Sequence, residues 1–357
     1  MEMRTTEAIA ILWVAMALHA ATSEAQGQDE DVRAVEVLLE GRALTPEQVA
    51  EREKRLDADP DDLDSRSRLL GYYWSRRFEH PEEQATRQGH VFWIIENAPG
   101  SGFAGSVGME MDAILEPDAY QEASRLWQKH VESPSCEAAV LGNAASYFLL
   151  HDESRAQEYY RRAKALEPES PQWPRKLSAL MRLEMLGKSG EERAGLAKEA
   201  LQLREESVSL DSSHRSRFFA LDELAELSFE AGEWPKAQAY STELLEQATS
   251  PETGEVDGRA VHVGHTVLGR LALRDGDVEE AKRRLLEAGA APGSVSLGSA
   301  GPSMWLAKEL LEAGERDVVL EYLGRCTRFW KRDKGRLDQW AKDIREGRPP
   351  DFGSQAR

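Results

Sequence analysis

The chain has 357 residues, and 64 aspartates and glutamates against 45 lysines and arginines give it a formal net charge of −19. This balance predicts no nucleic-acid partner and no binding to anionic membranes, because both are bound through a basic surface. The two cysteines, Cys136 and Cys326, are too few for a framework of disulfides. We expect both to be small buried side chains.

Residues 1–25 have the pattern of a secretory signal peptide. A weakly basic start precedes an apolar core at residues 8–18, and the small residues Ser23 and Ala25 flank a position that allows cleavage before Gln26. The apolar core is shorter than the about 20 residues that span a bilayer. We therefore expect a cleaved signal peptide and export to the periplasm or the cell exterior, without stable membrane insertion.

Residues 26–60 are predicted to form short helices and a linker. Thr45 can cap a helix that has Pro46 in its first position and Gln48 to complete a capping box. The five aspartates within residues 57–64 invite comparison with a calcium loop. They lack the glycine at the sixth position and the glutamate at the twelfth that an EF-hand requires. We expect them instead to cap the next helix.

Residues 135–168 predict two short amphipathic helices joined by a turn. Val140, Ala144 and Tyr147 share one helical face, and a second apolar face begins after Asp152. Small residues twelve apart across the turn would let the two helices cross closely. Three pairs have this spacing: Ala144 and Ala156, Ala225 and Ala237, and Gly269 and Ala281.

This pattern resembles the tetratricopeptide repeat, which has a period of about 34 residues. The resemblance implies an all-α fold of antiparallel helix pairs, stacked as a superhelix or solenoid, over residues 61–331. Residues 332–357 are expected to add a capping helix, with Trp340 turned inward, and a tail. Residues 301–330 also resemble the C-terminal part of exported bacterial repeat proteins.

Two stretches depart from the repeat pattern. Residues 173–210 predict two longer helices without the spacing of twelve, and residues 291–303 predict a long loop rich in glycine, serine and proline. Residues 100–105 have the glycine spacing of a dinucleotide-binding loop. Such a loop follows a strand and opens a helix, whereas this one follows a predicted helix. We therefore expect no cofactor.

The resemblance implies an exported scaffold that binds a protein or peptide partner and performs no catalysis of its own. The partner would lie on the face formed by the first helices of the repeats. Asn143, Tyr147 and His265 are candidates for this face, because they are polar or amphipathic at helix-face positions. Ordinary packing is the competing interpretation for all three, and the oligomeric state is left open.

A metal-dependent hydrolase is the alternative function. His262 and His265 are three residues apart and could point the same way from a helix, with Glu279 or Glu280 in support. No HExxH motif accompanies them. A structural subunit of a cell-envelope assembly is a third possibility, and it would differ from the scaffold by having a large, stable interface.

Overall fold

The computed structural model describes residues 28–248 and 257–356, and the predicted signal peptide lies outside them. Within these ranges all regular structure is helical and no strand is present. The α-helices of the described chain are α1 (Gln28–Arg42), α2 (Pro46–Ala58), α3 (Leu63–Arg76), α4 (Gln84–Asn97), α5 (Pro117–Val131), α6 (Ala138–Phe148), α7 (Glu153–Leu166), α8 (Gln172–Glu184), α9 (Gly190–Leu210), α10 (His214–Glu230), α11 (Trp234–Ala248), α12 (Gly258–Arg274), α13 (Val278–Ala288), α14 (Val295–Ser299), α15 (Trp305–Glu312), α16 (Arg316–Cys326) and α17 (Arg336–Arg345).

The chain divides into two compact units, the first ending at Leu180 and the second beginning at Met181, within α8. In the first unit α6 packs against α7, and in the second α10 packs against α11 and α12 against α13. Each pair is joined by a short turn, which makes its two helices antiparallel. The all-α fold of antiparallel, TPR-like helix pairs is therefore confirmed.

Small residues at the helix crossings explain why these pairs form. Ala144, Ala156, Ala225 and Ala237 are fully buried. The third pair uses Gly269, where an added Cβ would lie 2.3 Å from Leu306 Cδ2 and 3.5 Å from the carbonyl oxygen of Ala281. A larger side chain at these positions would force the helices apart. The residues spaced by twelve are thus positions where each pair has room only for a small side chain.

The N-terminal helices follow the capping rules read from the sequence. The Thr45 hydroxyl accepts the backbone N–H of Gln48, whose side chain in turn accepts the N–H of Thr45. Asp62 accepts the N–H of Ser65 and so caps α3, as expected for an aspartate of this linker. The capping box and the capping aspartate are both confirmed.

The predicted long helices at residues 173–210 are present as α8 and α9. The predicted loop at residues 291–303 is wrong in one detail, because it contains α14. Ser294 accepts the N–H of Leu297 and so starts this helix, and burial of Leu297 anchors it. Residues 102–105 form a short 3₁₀ turn and open no α-helix.

The C-terminal end of the second unit is closed by α17. Trp340 is buried with its ring centroid 5.8 Å from that of Trp330 and 5.1 Å from that of Phe352, and its Nε1 donates to the carbonyl oxygen of Asp351. Both cysteines are free thiols; Cys326 is buried as expected, whereas Cys136 is partly exposed. None of the described helices has the length and apolar character needed to cross a membrane.

Candidate functional site

Asn143 and Tyr147 lie one turn apart on α6, and both side chains contact the interior of the first unit. Asn143 is 8% exposed, and its Nδ2 donates to the carbonyl oxygens of Pro99 and Ser101, each at 2.9 Å. The hydroxyl of Tyr147 donates to the carbonyl oxygen of Tyr120 at 3.1 Å, and its ring stacks on the Tyr120 ring at 5.4 Å. These bonds hold neighbouring segments against α6.

His265, in the second unit, is half-buried on α12. Its Nδ1 lies 3.0 Å from Glu287 Oε2 and 3.2 Å from Arg284 Nη1. Burial lowers the pKa of His265, and the nearby Glu287 carboxylate opposes that shift. Its imidazole therefore belongs to a network of charged side chains between α12 and α13.

His262 is arranged differently, although it is one helical turn away. It is 1% exposed; its Nδ1 lies 3.1 Å from the carbonyl oxygen of Ala288, and its Nε2 accepts the backbone N–H of Ser303 at 3.0 Å. Both bonds are made by the tautomer that carries its proton on Nδ1. Burial lowers the pKa of His262 to about 4. A metal could bind this imidazole only by displacing a backbone partner, so the geometry does not support the metal-hydrolase alternative.

The strongest candidate site lies in the second unit, where charged side chains of α8, α10 and α12 meet. Five side chains from these helices form what we call the charged recess: Arg182 of α8, Phe219, Asp222 and Glu226 of α10, and Arg259 of α12. Arg259 Nε donates to Asp222 Oδ2 at 2.6 Å, and Arg182 Nη2 lies 3.7 Å from Glu226 Oε2. These contacts join side chains of α8 and α12 to α10.

Glu226 is partly exposed to solvent and yet closely surrounded by protein. Its side chain is 37% exposed, yet the surrounding protein removes enough water from the carboxylate to raise its pKa, against the opposing effect of Arg182. Phe219 is 49% exposed two turns earlier on α10. Solvent thus reaches an aromatic ring and, two turns further along α10, a carboxylate beside Arg182.

Glu223 lies beside the recess and shows what a fully paired carboxylate looks like here. Arg182 and Arg204 both donate to it, with Arg204 Nε 2.7 Å from Glu223 Oε2. Burial would raise the pKa of Glu223, but the two arginines outweigh it and bring the pKa to about 2. Glu223 is therefore held by hydrogen bonds from two arginines, whereas Glu226 has only a longer ion pair among the described residues.

Further along α10, Glu230 is also fully paired. Arg193 Nε lies 2.5 Å from it and Arg270 Nη1 lies 2.9 Å from it. Arg270 also contacts Glu309 at 2.8 Å, and its guanidinium lies 3.9 Å from the ring centroid of Phe229. This second group is closed by its own contacts and offers no free carboxylate.

The sequence contains one signal for this site, in the spacing of the acidic residues of α10. Asp222, Glu226 and Glu230 are spaced by four along α10, so three carboxylates share one helical face. A row of like charges on one helix needs cations from other helices. The sequence does not show which cations these are, because the arginines lie 37 to 44 residues away from the carboxylates that they pair with.

Among the described residues, no group of three or more His, Cys, Asp or Glu side chains is placed to hold a metal ion. No family model matches the chain, and no curated protein matches it either.

Solved structures of IFIT1 are similar to the chain. A monomeric mutant of IFIT1 with Gppp-AAAA is 17% identical over 84% of this chain, which spans 65% of that protein's chain, with a TM-score of 0.45. A human IFIT1 dimer with m7Gppp-AAAA is 16% identical over 84% of this chain and 66% of its own, with a TM-score of 0.43. A human IFIT1 dimer with PPP-AAAA is 17% identical over 79% of this chain and 68% of its own, with a TM-score of 0.37.

The prediction of no nucleic-acid partner is wrong as an exclusion, since all three of these IFIT1 structures hold nucleic-acid ligands. The physical reason is that net charge is a sum over the whole chain. Nucleic-acid binding depends on the local distribution of lysine and arginine, and an acidic total does not define that distribution. With TM-scores below 0.5, the likeness carries no argument about what this chain binds.

Proposed function

We propose that the chain is a non-catalytic scaffold that binds a segment of a partner protein in the charged recess. The observation that carries this proposal is the half-exposed ring of Phe219 on α10, one helical turn before Asp222, which is paired with Arg259 of α12. Aromatic and arginine side chains in a water-accessible recess are the residue types that dominate protein interfaces.

Asp222 and Arg259 support a binding role for the recess. Their 2.6 Å contact fixes the carboxylate and the guanidinium in place before any partner arrives. The Asp222 carboxylate raises the pKa of Arg259, so this cation stays charged. Polar groups that are already oriented lose less conformational entropy on binding. A partner segment would therefore meet a surface that needs little rearrangement.

Affinity capture from native extract tests the proposal. The wild-type chain is compared with Phe219→Ser, which alters the recess, and with Leu166→Ser, which alters a similarly exposed apolar side chain on α7. The extract is treated with nuclease, and circular dichroism checks that each variant is folded. A protein retained by the wild type and by Leu166→Ser, but lost from Phe219→Ser, is the expected result.

The same experiment can overturn the proposal. A partner retained equally by Phe219→Ser would place binding elsewhere on the chain. Bound material that disappears on nuclease treatment would show a nucleic-acid ligand in place of a protein. A photoreactive phenylalanine analogue at position 219, cross-linked to the captured protein, then gives the contact directly.

We also propose that the chain is exported after removal of residues 1–25. The support is the apolar core at residues 8–18 followed by Ser23 and Ala25. Mass spectrometry of the chain purified from its producing cells is expected to give an N-terminus at Gln26. An N-terminus at or near Met1 would contradict export by this route.

A further inference from the structure

Within the described parts of the chain, Glu226 differs from the other carboxylates of its face in receiving no hydrogen bond. Arginine N–H groups donate to Asp222, Glu223 and Glu230 at hydrogen-bonding distance. Among the described residues, the one ion-pair partner of Glu226 is Arg182, at 3.7 Å, which is too long for a hydrogen bond. Arg182 is itself held by Glu223. Glu226 therefore keeps acceptor positions open toward solvent.

Phe219 and Glu226 are seven residues apart on α10, and two turns of helix bring them to one face. Their separation along the helix axis is about 10.5 Å. Phe219 is also the more exposed of the two phenylalanines at this end of α10, since Phe218 packs into the core. The recess thus presents an apolar contact and an unfilled carboxylate at a defined spacing.

We propose that the charged recess recognises a partner segment carrying a cationic side chain, which pairs with Glu226, and an apolar side chain that packs on Phe219. This inference rests on the proposed function and adds the chemistry of the partner. A lysine ammonium supplies the hydrogen-bond donors that Glu226 lacks.

The spacing restricts the conformation of the bound segment. In a polyproline II segment, residues i and i+3 lie on the same side and about 9 Å apart. That distance agrees with the separation of Phe219 and Glu226, and the length of a lysine side chain accommodates the remainder. The expected sequence is therefore an apolar residue, two residues that favour an extended backbone, and a lysine.

The probe is a blocked, fluorescent peptide of sequence Gly-Leu-Pro-Pro-Lys-Gly, titrated with the full chain at low ionic strength and followed by anisotropy. We expect saturable binding. Replacing the peptide lysine by norleucine, or Glu226→Gln in the protein, is expected to weaken binding about tenfold, roughly the loss of one charged hydrogen bond. Phe219→Ala is expected to weaken it to a similar extent.

Glu312→Gln is the matched control, because Glu312 is an exposed carboxylate of α15 outside the recess and its replacement changes the net charge equally. It is expected to leave binding unchanged. Absence of saturable binding, or equal binding by Glu226→Gln and wild type, would overturn the inference. If Phe219→Ser loses the captured protein while Glu226→Gln retains it, the scaffold function stands and the cationic ligand is wrong.

Discussion

Arg182 lies 3.7 Å from Glu226 and closer to Glu223, so one guanidinium serves two carboxylates of α10 unequally. The pKa values of the two carboxyl groups reflect this. Burial raises the pKa of Glu226, whereas Arg182 and Arg204 overcome burial at Glu223 and bring its pKa to about 2. Two residues three apart on one helix therefore have opposite electrostatic effects on folding.

Glu223→Gln is expected to lower the free energy of unfolding at pH 7 by about 2 kcal/mol, since two charged hydrogen bonds are lost. The folded pKa of about 2 lies below the unfolded value of about 4.3. The contribution of Glu223 is therefore complete above pH 4.3 and is lost as the pH falls toward 2. Urea unfolding of both proteins across this range should show their difference shrinking with acidity.

Glu226→Gln is expected to behave differently. Because the folded pKa of Glu226 is raised, its ionised carboxylate is disfavoured in the folded state at pH values above that pKa. Removal of this charge should therefore leave the free energy of unfolding at pH 7 unchanged or slightly higher, within about 0.5 kcal/mol. Thermal unfolding at pH 7 measures this. A loss as large as that of Glu223→Gln would show that Glu226 is a structural ion-pair partner and not an open acceptor.

His262 is predicted to make the second unit sensitive to mild acid. Its folded pKa of about 4 lies below the ordinary value of 6.5, so the unfolded chain binds more protons between these values. The contribution of His262 to the free energy of unfolding is complete above pH 6.5. It is lost as the pH falls toward 4, by on the order of 3 kcal/mol. His262→Phe is expected to be less stable at pH 7, because the Ala288 carbonyl and the Ser303 N–H lose their partner.

Urea unfolding at pH 7, 5.5 and 4.5 tests this for His262→Phe. Its stability should fall less with acidity than that of the wild type. His214→Gln is the control, because His214 is exposed at the start of α10; this variant should follow the wild-type pH dependence. Equal acid sensitivity in wild type and His262→Phe would assign the effect to other groups.

The fold could be predicted from the sequence because its determinants are local. Ala225 and Ala237 are twelve apart, and a turn of fixed length brings them together wherever the pattern occurs. The capping box at Thr45 depends on residues three apart. α14 was missed because five residues are too few to show a helical period, and the capping bond of Ser294 was its one local signal.

The charged recess could not be predicted in the same way. Its ion pairs join Arg182 to residues 41 and 44 positions away and Arg259 to a residue 37 positions away. Which charges meet depends on how neighbouring helix pairs are aligned. Asn143 illustrates the same limit: its polarity suggested a binding face, while its partners at Pro99 and Ser101 lie more than 40 residues earlier.

Asn143→Ala is expected to lower the stability of the chain by about 2 kcal/mol, because two partly buried carbonyl oxygens lose their donor. Asn97→Ala, which removes an exposed side-chain bond to Trp93, is expected to change stability by less than about 0.5 kcal/mol. Urea unfolding compares the two. Hydrogen exchange should also rise at residues 99–105 in Asn143→Ala alone.

One variant can show whether Asn143, Tyr147 and His265 bind the partner or only pack within the fold. Alanine at all three positions should be compared with wild type for capture of the partner, under conditions where both are folded. Unchanged capture would remove these residues from the binding surface. Selective loss of the partner would place a contact on α6 or α12.

Two glycines in helix interiors are predicted to respond to alanine with opposite signs. At Gly71 on α3, an added Cβ would lie 2.3 Å from the carbonyl oxygen of Leu38 on α1, so the helices would have to separate. Gly71→Ala is therefore expected to lose about 1–3 kcal/mol. At Gly89 on α4, an added Cβ meets nothing within 4 Å, and Gly89→Ala is expected to gain about 0.5–1 kcal/mol, because alanine loses less backbone entropy in a helix. Urea unfolding at pH 7 measures both, and wild-type stability in Gly71→Ala would mean that α1 and α3 do not cross in backbone contact.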